Sequence, residues 1–196
     1  MRRAVLIRAG FVSAALPAGG AIALAAPGDI SIVSLSSGSA QGAQPVEGAA
    51  VSADGSAVAF TSAADLTGVP TGAVVQLDVR DRVDGTTRLA SASAAGRPAN
   101  GAVDGEDVGN IQFAVSGDGR YVVFASTATN LTPADTDSGT DVSRKDLAIG
   151  EVALVSVASG GQKAGAAVFG DPDVSFGGGR VSFGTGLATK GPSRIN

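Results

Sequence analysis

One hairpin pattern, written three times, constrains this chain more than anything else in it. Val115-Ser-Gly-Asp-Gly-Arg-Tyr-Val-Val-Phe-Ala-Ser126 has an earlier copy, Val51-Ser-Ala-Asp-Gly-Ser-Ala-Val-Ala-Phe-Thr-Ser62. A later, eroded copy is Val174-Ser-Phe-Gly-Gly-Gly-Arg-Val-Ser-Phe-Gly-Thr185. Each predicts a strand, a tight turn and a second strand. An Asp-Gly pair suits the positive φ angles of a tight hairpin. Val58 and Phe60, like Val122 and Phe124, then fall on one face by the strand period of two.

Around these hairpins the chain reads as repeated four-strand units. In the first, strands are expected over residues 49–53, 57–62, 74–80 and 86–92, with Val83-Asp84-Gly85 as the second turn. In the second they are expected over 111–116, 121–126, 141–146 and 151–157, with a longer acidic loop at 127–140. The Asp-Gly turns are offset by 64 residues, and Leu66/Leu131 through Leu89/Leu154 by 65. A third unit is expected to begin at Asp173, offset by 59 at Val181 and Phe183. Asp29 to Ser36 alternates like the fourth strands at Thr87–Ser93 and Val152–Ala158, and all three run into a Ser-x-Ser or Ser-x-Ala step.

A period near 64 with four short strands is the mark of a β-propeller blade, which buries its faces only against neighbouring blades. The expected fold class is therefore all-β, a partial β-propeller of four-stranded antiparallel blades. Its divisions are residues 29–47 as an outer strand of a preceding or closing blade, 48–101 and 102–165 as blades, and 166–196 as a half blade. The count falls short of the roughly four to eight blades of a closed ring, so a fragment of a longer propeller is expected.

The second unit also resembles a known family, the TolB-type or WD-like propeller repeats of bacterial exported proteins. Ser116, Asp118, Gly119, Phe124 and Ser126 match its hairpin, and Asn130-Leu131 with Asp135-Thr-Asp137-Ser-Gly139 match its loop. Asp141-Val142, Lys145-Asp146, Gly150 and Val155-Ser-Val157 match the remainder. The first unit matches at Ser52, Asp54, Gly55, Phe60, Ser62, Leu66, Arg80-Asp81 and Gly85, but lacks the acidic loop. The resemblance implies a propeller of an exported protein.

The N-terminus reads as an address. Arg2, Arg3 and Arg8 precede an uncharged stretch rich in Ala, Leu and Gly, and Ala23-Leu-Ala25 fits a small-x-small cleavage site. Residues 1–25 are expected to be a signal peptide, which places the protein outside the cytoplasm, extracellular or periplasmic, with no membrane span after cleavage. Cleavage removes three of the 14 basic residues and none of the 18 acidic ones. An acidic chain without a basic stripe excludes nucleic acid as the natural partner.

Composition narrows the chemistry. His and Cys are both absent, which removes Ser-His-Asp triads, Cys-His pairs and His-ligated zinc. Any metal site must use oxygen ligands. Asp135, Asp137 and Asp141 alternate in a Gly-containing loop, the kind of spacing calcium takes, although no closing bidentate Glu follows. The alternative is a solvated turn in which Asp side chains cap backbone N–H groups. The first unit carries Pro70, Gly72 and Gln76 there, so a calcium site would belong to one blade. Asp104, Glu106 and Asp107 read as a solvated loop, Arg80-Asp81 and Lys145-Asp146 as strand-end charges, and Lys163 and Lys190 as lysines without a partner motif. No catalytic residue is assigned.

The function expected is a binding or scaffold module for another protein or a cell-envelope component. The alternatives are the propeller part of a larger secreted hydrolase or peptidase, and a truncated product without function.

Overall fold

The computed structural model describes residues 31–103, 112–158, 161, 163–164 and 168–185. The signal-peptide reading of residues 1–25, the acidic stretch at Asp104, Glu106 and Asp107, and Lys190 lie outside the described residues. Ten strands and no helix occur among those described. The first blade is β1 (Val46–Val51), β2 (Ala57–Ser62), β3 (Gln76–Asp81) and β4 (Thr86–Leu89). The second is β5 (Phe113–Val115), β6 (Tyr121–Ser126), β7 (Asp141–Asp146) and β8 (Val152–Leu154). Each is an antiparallel sheet with strands in chain order. A third sheet pairs β9 (Val168–Val174) with β10 (Val181–Thr185). Among the described residues the fold is thus all-β, built from four-stranded antiparallel sheets.

The hairpin at the head of each unit is held by its serine. Ser52 Oγ accepts from the Ala57 amide at 3.0 Å and donates to Asp54 Oδ1 at 2.6 Å. Ser116 does the same with Tyr121 and Asp118, at 2.9 and 2.5 Å. Only the glycine takes a positive φ: 70° at Gly55 and Gly119, 72° at Gly178. The aspartate's part is different from the one its pairing with glycine implies. Its carboxylate collects the serine hydroxyl and the amide two residues on, which holds Asp54 down to about 2. The third unit has lost this aspartate, yet Ser175 Oγ still accepts from the Arg180 amide at 3.0 Å.

The two faces of a blade differ in size. Register places Val58, Phe60, Asp78, Arg80, Thr87 and Leu89 on one face of the first blade. Ala57, Ala59, Leu77 and Val79 lie on the other and join Phe113, Val115, Val122 and Phe124 of the second blade in one buried cluster. A small-residue face thus receives a large-residue face, which explains how few aromatics can close-pack an interface.

Several strands differ from expectation: β1 covers Val46–Val51 instead of residues 49–53, and described residues 31–36, expected as an outer strand, form only the Leu35/Gln41 bridge. The fourth strands end at Leu89 and Leu154, short of residues 92 and 157. Just past each end a serine hydroxyl replaces the ladder: the Leu77 amide donates to Ser91 Oγ at 2.9 Å, and the Val142 amide to Ser156 Oγ at 3.2 Å. In the third unit β9 begins at Val168, ahead of Asp173. Its register shifts between Ser182 and Gly184, and Pro172 lies opposite that irregularity, where a residue without an N–H is tolerated.

Candidate functional site

Alternating strand direction sends the β1–β2 and β3–β4 turns to one edge of the blades. The β2–β3 and β6–β7 loops and the crossovers leaving β4 and β8 emerge at the other. Two polar arrangements are built at this loop edge, and a third lies toward the turn edge, at the ends of β3 and β7.

The first joins the three aspartates. Asp141 opens β7, and its Oδ1 accepts from Ser156 Oγ at 2.6 Å. Asp135 and Asp137 come from the β6–β7 loop, and one carboxylate oxygen from each of the three lies within 4.8 Å of the others. Asp137 turns its own loop by accepting from the Gly139 amide at 2.7 Å. The group at their centre is the Lys163 ammonium, 2.5 Å from Asp135, 2.6 Å from Asp137 and 2.5 Å from Asp141. The side chains of Asp135 and Asp141 are buried, whereas that of Asp137 is 56% exposed. Burial lowers the lysine's proton affinity, but hydrogen bonds to the three carboxylates outweigh it and lift Lys163 above the ordinary lysine range. Lys163 in turn holds Asp137 below its usual value, helped by the Gly139 amide.

Lys163 therefore has partners, contrary to its reading as an isolated lysine in a Gly-rich stretch. It comes from the crossover after β8, where Val157 and Lys163 bridge as a small antiparallel turn. Ala92/Pro98 form the same bridge after β4, and Leu35/Gln41 form it ahead of the first blade. In the first blade the corresponding corner is neutral. Gln76 accepts from Ser91 Oγ at 2.6 Å and donates to the Ala99 carbonyl at 3.0 Å.

The second arrangement pins the crossover between blades to the β6–β7 loop. The Asn100 amide donates to Asn130 Oδ1 at 3.0 Å, and the Thr129 amide donates to Asn100 Oδ1 at 2.9 Å. Asn130 Nδ2 donates to the Pro98 carbonyl at 2.8 Å, while the neighbouring Leu131 is buried in the core. In the first blade Asp65 stands at the Asn130 position and accepts from both the amide and the hydroxyl of Thr71, which hold it below its ordinary value. A cleft of about 320 Å³ beside it is lined by Ser36, Gln41, Gln44, Asp65 and Leu66 among others.

The third is a clamp between blades, and it gives the strand-end charges a role. Lys145 is buried and donates to the carbonyls of Ala92, Ser93 and Gly150 at 2.8, 3.3 and 2.8 Å. Burial lowers its proton affinity. Arg80, one repeat earlier, donates to the Ser36 carbonyl at 3.0 Å and to Thr87 Oγ1 at 3.1 Å. Thr87 Oγ1 itself donates to the Leu35 carbonyl. The residues after the cations, Asp81 and Asp146, cap the second turns by accepting amides from Val83 and Asp84, and from Ala148 and Ile149. The carrying signal was present in the sequence: a cation at the same position of β3 and β7, preceding a capping aspartate.

Asp78, one step along the same face from Arg80, is 1% exposed and neither carboxylate oxygen has a partner. Burial, with the charge of Asp65 adding to it, pushes it up to about 7.

No family model matches the chain, and no curated protein matches it. Among solved structures it is similar to TolB from Acinetobacter baumannii at 19% identity and a TM-score of 0.39, over 68% of this chain and 25% of that one. The chain thus spans a quarter of the length of the structure it matches. No helix among the described residues is long and apolar enough to cross a membrane.

Proposed function

We propose that this chain is a propeller-blade interaction module of an exported protein, and that its loop edge binds a protein or cell-envelope partner. The observation that carries the reading is the Asn100–Asn130–Pro98 network. It fixes irregular loops on two packed blades, the combination of rigid scaffold and positioned surface loops on which recognition commonly rests. Asp65 and Asp137 bring negative charge to that edge, which favours a partner surface bearing cations. Export is supported by the basic, then uncharged, start and its Ala23-Leu-Ala25 site.

Calcium belongs to the same proposal. Asp135, Asp137 and Asp141 would hold the ion, and backbone carbonyls would supply further oxygens. One oxygen from each carboxylate lies within 4.8 Å of the others, and the Lys163 ammonium now among them would have to give way to the ion. Bound there, the ion would supply charge compensation and stiffen the loop.

The test compares partner binding by the intact chain with that of two charge reversals. Asp65→Lys alters the loop edge and Asp84→Lys the turn edge. Affinity for proteins of the producing cell's envelope, read by surface plasmon resonance, is expected to fall for the first and hold for the second. Equal binding by all three chains would remove the loop-edge reading. For calcium, heat in a calorimetric titration is expected and is weakened by Asp137→Ala; a flat titration removes the ion.

A further inference from the structure

One row of side chains on the first blade carries a carboxylate with nothing to meet it. Register lines up Ala49, Phe60, Asp78 and Leu89 across the four strands. Asp78 is 1% exposed, and neither of its oxygens has a hydrogen-bond partner. In the second blade Ser143 stands at the same place, opposite Phe124 as Asp78 is opposite Phe60. A blade can therefore be built without an acid there.

Residues 33–44 lie over this row. They form a small turn, in which the Ser36 amide donates to the Ala40 carbonyl at 2.8 Å and the Gly42 amide to the Ser34 carbonyl at 3.1 Å. On one side of the Asp78 row is the row Val58, Arg80 and Thr87, and there the turn is latched. Arg80 donates to the Ser36 carbonyl, Thr87 Oγ1 to the Leu35 carbonyl, and the Thr87 amide to Ser37 Oγ at 3.0 Å. On the other side the chain leaves β2 past Ser62. There Gly42 rests on Leu66 and Ala64, whose side chains would stand 3.1 and 3.2 Å from a Cβ placed on it. Fastened on both sides of the row, the segment passes over Asp78 as a strap.

The strap brings no charge to the acid it covers. Residues 31–45 contain no Asp, Glu, Lys or Arg. The rest of the row, Ala49, Phe60 and Leu89, does not titrate. Asp65, from the β2–β3 loop, adds negative charge, and with burial it favours the neutral acid. Among the described residues the cation on this face is Arg80, two residues along the same strand. Its guanidinium is spent on Ser36 and Thr87. An ionised Asp78 needs water or that guanidinium, and lifting the strap supplies both.

We propose that residues 33–44 are a proton-gated strap, closed while Asp78 is neutral and released when it ionises. Release takes one wall from the cleft beside Asp65, since Ser36 and Gln41 belong to the strap. It also bares Phe60 and frees Arg80 to pair with Asp78. Asp78 has an ordinary affinity for its proton once uncovered, so the opening constant rises about tenfold per pH unit from about pH 4 to about pH 7 and is level above that.

The experiment is native-state amide exchange on the full chain at pH 5.5 and pH 7.5, corrected for the chemical exchange rate at each pH. Protection of residues 33–44 is expected to fall at least tenfold between the two, while β6 and β7 hold. In Asp78→Asn and in Asp78→Ser, which installs the second blade's residue type, the strap is expected to be equally protected at both pH values. A wild-type strap whose protection does not change overturns the proposal, and so does a fall that survives both substitutions. An equal fall in β2, β3 and β6 also overturns it, because the charge would then burden the whole fold and not the strap. If neither variant folds, the wild-type contrast between the strap and β6 decides the matter alone.

Discussion

The Lys145 ammonium and the Ala92 carbonyl meet at 2.8 Å across the boundary between the two blades. One repeat earlier Arg80 meets the Ser36 carbonyl at 3.0 Å in the same manner. A cation on the third strand of each blade thus grips the segment before its blade, the turn after β4 for Lys145 and the residues around Ser36 for Arg80. The grip is buried, so its loss is felt twice: the contacts go, and carbonyls are left without their donor.

Lys145→Met keeps the apolar stem and removes the charge. A loss of about 2 kcal/mol is expected, the range for hydrogen bonds made by a charged group. Urea denaturation checks it, through a lower midpoint at an unchanged slope. Arg80→Met should free the segment at residues 34–37 as well, seen as faster proteolysis there.

Asp78 makes stability depend on pH in a direction opposite to that of most paired carboxylates. Its pKa is raised to about 7 from an ordinary 3.8. A group raised in this way is neutral in the fold while it is already ionised in the unfolded chain. Its contribution is intact below about pH 4, is lost as pH climbs toward 7, and is level above that. Asp78→Asn removes the slope. The variant is expected to gain on the wild type between about pH 4 and pH 7, by up to roughly 4 kcal/mol at about 1.4 kcal/mol per pKa unit. Melting temperatures across that range test it, and parallel curves would count against the buried charge.

Ser116→Ala removes a fully buried hydroxyl that accepts from the Tyr121 amide and donates to Asp118. The hairpin loses both links, and about 1–2 kcal/mol of stability is expected to go with them. Ser116→Thr keeps the oxygen and should lose less, so the pair of melts separates hydrogen bonding from shape.

Gly178→Ala tests how the third unit is seated. Gly178 has a φ of 72°, and a Cβ placed on it would lie 2.1 Å from the Tyr121 ring. That ring has the Arg120 and Arg144 guanidiniums each 5.0 Å from its centre, and Arg144 donates to the Gly178 carbonyl. Added bulk must push the β9–β10 hairpin away from the second blade. Amide exchange is expected to rise within residues 168–185 and to hold in β2 and β3.

Much of this architecture could be read in advance because its causes are local. The strands at Ala57–Ser62, Tyr121–Ser126 and Asp141–Asp146 fall where the alternation placed them. A period of two and a glycine turn are visible within a dozen residues. The three aspartates share one loop and β7, so their convergence was legible as well. Lys163 was not: it sits 26 residues from Asp137 and 28 from Asp135, and only the blade's path brings it back. The fourth strands were drawn too long because Ala90, Ala92, Val155 and Val157 continue the apolar pattern around Ser91 and Ser156, whose hydroxyls end the ladder. Arg80 and Lys145 were read as strand-end charges, which they are, but sequence shows a cation without showing that a neighbour's backbone will cover it.

The clamp at Arg80 and Lys145 reads carbonyl oxygens, and every residue has one. Neither cation asks what side chains the preceding segment carries, only that its chain pass within reach. Such a joint is indifferent to the identity of its neighbour. A blade held this way can be copied, exchanged or rewritten on its outer surface without any matching change next door, so repeats can diverge in what they bind while still stacking as one body.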